Sequence, residues 1–95
     1  MALIYVTQTR DRADVTVHIT EIRANADLFA FKVESRDLAR GQDEVWCEVD
    51  ILALADVTCL FVDSIRAADL VVHFVSSRDL AGWRKPHDLN GKLAG

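Results

Sequence analysis

The sequence predicts an α/β domain made of two sets of three tandem 13-residue units, each a β-strand followed by a short helical turn. Three observations predict it. Ala-Asp followed by Val or Leu recurs at Ala13-Asp14, Ala26-Asp27, Ala55-Asp56 and Ala68-Asp69, with degenerate copies ending at Ala39-Arg40 and Ala81-Gly82. The alanine-to-alanine steps are 13, 13, 16, 13 and 13, so Gly41-Gln42-Asp43 reads as a three-residue insertion between the sets. A shift of 42 residues lays Ala13-Asp-Val-Thr16 on Ala55-Asp-Val-Thr58, and Ser35-Arg-Asp-Leu-Ala39 on Ser77-Arg-Asp-Leu-Ala81. The chain therefore reads as an internal duplication, residues 4–45 and 46–87. It forms one repeat domain over 1–87, with a flexible tail over 88–95.

Each element has a local reason. Val15–Ile19, Leu28–Val33, Val57–Val62 and Leu70–Val75 are runs of Val, Ile and Phe that suit a pleated surface, so they read as strands. A polar residue follows every run, at Gln8, Glu21, Glu34, Asp50, Asp63 and Ser76. Thr9, Ser35, Ser64 and Ser77 come next, where a hydroxyl caps the first free N–H groups of a helical turn. About five residues then remain before the next Ala-Asp, enough for one turn held by packing alone. Equivalent repeats favour parallel strands, in a small β-α solenoid or a two-layer sheet. Parallel crossovers usually take a dozen or more residues, so an antiparallel meander with helical-turn loops is the alternative.

Alternation places Val15, Val17 and Ile19 on one face of their strand and Thr16, His18 and Thr20 on the other. Leu70–Val75 is apolar on both faces, and the helical turns cover only one. The second cover is the sibling half or another copy of the chain, and the second option predicts a homodimer. The alanines of the Ala-Asp pairs, Ala26 and Ala68 among them, are expected to be buried under the turns.

Composition narrows the function. At 51% hydrophobic and 27% charged, with four Gly and one Pro, the chain is neither disordered nor low-complexity. Two cysteines do not make a disulfide framework. A net charge of −4 and a pI near 5.2 argue against a nucleic-acid partner. Asp56, Asp63, Arg66 and Asp69 interrupt the most apolar stretch, so no membrane span is expected. The start lacks a basic segment ahead of a long apolar run, so the chain reads as cytoplasmic.

Candidate sites are few. An anion-binding ridge would use Arg36, Arg40 and Arg78, because a guanidinium grips carboxylate or phosphate in a two-pronged fashion. Trp83, Arg84 and Lys85 stand outside the periodic part, as a partner-binding spot or as the cap of the last repeat. No metal site is expected, the least unsuitable ligands being His18, His73 and Cys59. His18 and His73 occupy a position that holds Phe31 and Leu60 in other copies, which marks it as a packing position. The four repeat aspartates suggest paired carboxylates, yet a catalytic environment is needed once and a turn or cap in every repeat. No cofactor motif and no decisive catalytic signature are present.

Val62-Asp-Ser-Ile-Arg-Ala-Ala-Asp-Leu-Val-Val-His-Phe-Val75, with Ala39-Arg-Gly-Gln-Asp-Glu-Val-Trp46 and Ala81-Gly-Trp-Arg-Lys85, resembles a family of small bacterial proteins. Its members are built from tandem V-D-S-[RK]-x-x-A-D repeats and classed as a domain of unknown function (DUF6150-like). The resemblance covers residues 4–87, with Leu52 and Ile65 departing from the recurrent basic position held by Arg10, Arg23, Arg36 and Arg78. It implies an architecture and no activity. The expected function is a non-enzymatic, self-associating interaction or structural module. The alternative is a small-molecule or anion binder, or a minor hydrolase, using the Arg column and the histidines.

Overall fold

A computed structural model describes residues 2–39 and 42–93. The repeats form strands β1 (Ala2–Val6), β2 (Val15–Ile19), β3 (Leu28–Lys32), β4 (Val45–Glu48), β5 (Val57–Phe61) and β6 (Leu70–Phe74). The connections hold 3-10 turns at Arg10–Arg12, Arg23–Asn25, Leu52–Leu54, Ile65–Ala67 and Arg78–Leu80. A single α-helical turn, α1 (Arg36–Ala39), follows β3, and a short strand β7 (Gly82–Trp83) follows β6.

The six long strands all run parallel and close on themselves in the order β4-β1-β5-β2-β6-β3, with β3 pairing back to β4. The expected α/β class is therefore corrected. The fold is a closed all-β barrel, not a solenoid, a two-layer sheet or an antiparallel meander. Sequence neighbours are not sheet neighbours, β3 and β4 excepted: each strand of the second half lies between two strands of the first. The chain climbs the wall, returns outside it, and skips one position before climbing again.

Connector length explains why the returns are not helices. Carrying the chain from the top of one strand to the foot of the next but one spans about 20 Å. Residues 7–14 reach at most about 26 Å when extended, whereas an α-helix of the same length spans about 12 Å. Only one tight turn fits. Capping also differs from expectation. Ser64 accepts from the Arg66 N–H, but the hydroxyls of Thr9 and Ser77 cap no turn. Thr7 and Thr20, two residues earlier, accept from the N–H groups of Thr9 and Ile22 instead.

Each strand is offset from its neighbour by two residues: Ile4 lies opposite Val57, Cys59 opposite Val15, Val17 opposite Leu70, and Val72 opposite Leu28. A two-residue offset tilts the strands yet keeps the same side chains pointing inward. Val17, Leu28, Ala30, Cys59, Leu70 and Val72 thus fill the interior, with no exposed surface. The outer face is covered by the chain's own connectors, where Ala26, Phe29 and Val75 form a separate cluster with Phe31 and Ala81. Ala26 is fully buried, as the alanine rule expects; Ala13, Ala55 and Ala68 are only half-buried.

The C-terminal segment packs against the barrel over its described part. β7 pairs antiparallel with β3 at Leu28 and Phe29, beneath the stretch of β3 that pairs with β4. Leu93 is 1% exposed and belongs to the main core. An apolar residue that completes a core holds its segment in place whatever the local sequence suggests.

Candidate functional site

The two ends of the barrel differ in chemistry. At the lower end, the N–H group of the second residue in β1, β2, β5 and β6 is bound by a repeat aspartate. Thr58 N–H donates to Asp14 Oδ2 at 3.0 Å, Val71 N–H to Asp27 Oδ2 at 3.0 Å, Leu3 N–H to Asp56 Oδ2 at 3.0 Å, and Thr16 N–H to Asp69 Oδ2 at 3.2 Å. The backbone N–H of each aspartate donates in turn to the carbonyl of the same residue, at 2.8–2.9 Å. Each aspartate thereby ties the strand that it precedes to the neighbouring strand of the other half. This is a structural role, and it accounts for the recurrence.

The lower end is then closed by the C-terminal segment. Asp43, buried ahead of β4, accepts from the Trp46 indole N–H through its carbonyl at 2.8 Å and from the Trp83 indole through its carboxylate at 3.1 Å. The same carboxylate receives the Gly91 N–H. His87 stacks on Trp83 with ring centroids 5.4 Å apart and donates from Nε2 to the Asp69 carbonyl at 2.9 Å. That nitrogen also lies 3.7 Å from the Asp27 carboxylate. Trp83 is thus held within the cap of the barrel. Arg84 is exposed, its guanidinium 4.9 Å above the Phe29 ring, and it lines a shallow surface cleft with Lys85 and Arg23.

The upper end is where the candidate site lies. The last residue of each long strand, the fifth in all but the four-residue β4, faces inward at the mouth: Val6, Ile19, Lys32, Glu48, Phe61 and Phe74. Ile4 and Trp46, both nearly fully buried, form its floor. Together they line a small cleft of about 70 Å³ that opens to solvent. Trp46 meets Phe74 edge to face at 5.6 Å, and the Lys32 ammonium sits 5.0 Å over the Phe74 ring. Ile19 and Phe61 are exposed at the rim. The mouth is therefore an apolar dish carrying one cation and one anion on neighbouring strands.

The residues singled out in the sequence occupy separate surroundings among the described residues. Arg36 lines a polar cleft with Glu34, Ser35 and Asp37, and Arg78 is exposed on the turn before β7. Arg40 lies outside the described residues. His18 Nδ1 lies 3.0 Å from the Val62 carbonyl and His73 Nδ1 2.9 Å from the Thr20 carbonyl, so each ring ties down the chain just past a neighbouring strand. Cys59 is fully buried inside the barrel, across the wall from both histidines. Burial, followed by the nearby Asp14 charge, pushes its thiol up to about 12. Among the described residues no group of three or more His, Cys, Asp or Glu side chains is placed to hold a metal. Sequence reading passed over Lys32 and Glu48. The available signal was the 13-residue column itself, whose strand-end position is apolar in four copies and charged in two.

A family model described as the 7(1) septoil knot domain matches residues 1–84. The chain belongs to this family. No curated protein and no solved structure matches it. The family is named for a knot, and in this chain the strands of the two halves alternate around the barrel. The match supports the small repeat-domain family expected from the repeats, without the narrower DUF6150-like designation. Among the described residues, no helix is long and apolar enough to cross a membrane.

Proposed function

We propose that this septoil knot domain is a non-enzymatic binding module whose working surface is the barrel mouth, with the rest of the chain serving to hold that mouth rigid. The observation that carries this reading is the contrast within one repeat position. The four other strand positions pack or bond, while the fifth places Val6, Ile19, Phe61 and Phe74 around an open apolar cleft. Concave apolar clefts with few polar groups are the usual form of a small-molecule site. The apolar faces of Leu70–Val75 do not by themselves require a second copy of the chain. Barrel closure covers the inner face and the connectors cover the outer one.

The test is a titration of the full isotope-labelled chain with isohexanol, an uncharged branched alcohol. Shifts confined to the methyl groups of Val6 and Ile19, the rings of Phe61 and Phe74 and the Trp46 indole support the reading. Shifts elsewhere, or none at millimolar alcohol, overturn it.

A further inference from the structure

The geometry points to a free α-amino acid with a branched aliphatic side chain as the ligand class of the mouth, a reading that rests on the proposal above and narrows it. Three features of the site lead there. Lys32 and Glu48 are the two charged members of the six-residue ring, and they stand on neighbouring strands β3 and β4. Lys32 lies opposite Trp46, so Glu48 is two residues further along and the two Cα atoms are about 8 Å apart. Side chains of that length converge on one small group between them.

Neither charge is already answered. Among the described residues, neither Lys32 nor Glu48 has an oppositely charged partner within 4 Å; the ammonium lies over Phe74 instead, on the side away from Glu48. A head group carrying one negative and one positive charge fits this arrangement, its carboxylate accepting from Lys32 and its ammonium donating to Glu48. The apolar remainder then lies over Ile4 and Trp46, between Phe61 and Phe74. A purely anionic ligand would sit against Glu48 and a purely cationic one against Lys32, at a like-charge cost in either case. No bond is made or broken in this scheme.

Leucine, isocaproate and isoamylamine form the decisive series, since they share the branched chain and differ in the charges of the head. Binding to the full chain is read from the Trp46 indole N–H signal and from mouth methyl shifts, with Leu93 at the opposite end as the control. Leucine is expected to bind at least tenfold more tightly than either single-charge analogue. Lys32→Glu is expected to abolish that preference, and the double variant Lys32→Glu with Glu48→Lys to restore it, a pattern that loss of fold does not produce. Equal affinities across the series, with isohexanol still bound, overturn the amino-acid inference and leave the mouth reading standing. No binding of any of the four probes at the mouth overturns both. Sedimentation at twice the chain mass, abolished by Phe61→Asp, overturns both by assigning the mouth to a second copy.

Discussion

The lower rim and the mouth are built by the same repeat and obey different rules. At the lower rim, the N–H group of the second residue in four of the strands is bound by an aspartate of a neighbouring repeat, with one geometry. Identity at that position is enforced because the need is identical. At the mouth, the last strand residues meet solvent and a shared cleft, and four apolar residues, a lysine and a glutamate occupy equivalent places. Repetition is kept where the backbone requires it and relaxed where only the cleft is shaped. A repeat protein thus separates its structural chemistry from its variable surface by strand end.

The largest effect is expected in the core that joins the two ends. Leu28→Ala or Leu70→Ala, at positions with no exposure, should destabilise by about 2–5 kcal/mol in denaturant unfolding. Leu93→Ala should fall in the same range, and a cost below about 0.5 kcal/mol there would show that the C-terminal segment is not part of the lower closure. Ala26→Leu should cost about 1–3 kcal/mol through overpacking against Phe29 and Val75. Ala68→Leu, at a half-buried site, should cost less, and equal costs would remove the distinction between the two turns.

Smaller effects sharpen the contrast between the rims. Asp14→Ala should cost about 1 kcal/mol and speed hydrogen exchange at the Thr58 amide, whose acceptor it removes. Phe61→Ser, at the mouth, should change stability by no more than about 0.5 kcal/mol, since the ring is exposed. A mouth substitution as costly as a lower-rim one would break the division proposed above.

The interior adds a pH dependence of definite sign. The Cys59 thiol ionises near 9.0 when exposed and near 12 in the barrel, so the unfolded chain loses its proton first as pH rises. The stability this group contributes is complete below pH 9.0 and is lost progressively between about 9 and about 12. Comparing urea midpoints across that window, the wild type should decline more steeply than Cys59→Ala. Parallel declines would show that the thiol is not held neutral by burial.

Much of this protein is determined by sequence alone. The 13-residue period, the strand at each Val- and Phe-rich run and the insertion ahead of β4 follow from side-chain chemistry that acts within a dozen residues. So does the structural character of the repeat aspartates, because a residue needed in every copy serves the backbone. What only the tertiary structure decided is how the units are arranged in space. Whether Leu70–Val75 is covered by a sibling, a partner or its own connectors depends on closure between strands 44 to 53 residues apart, and no local pattern encodes it. Closure turned an expected α/β layer into an all-β barrel, because connectors this short cannot both skip a strand and form a helix. It also drew Leu93 into the core and gathered Val6, Ile19, Lys32, Glu48, Phe61 and Phe74 from six repeats into one mouth. Local sequence sets which way a side chain points from its strand; only the closed sheet determines what it points at.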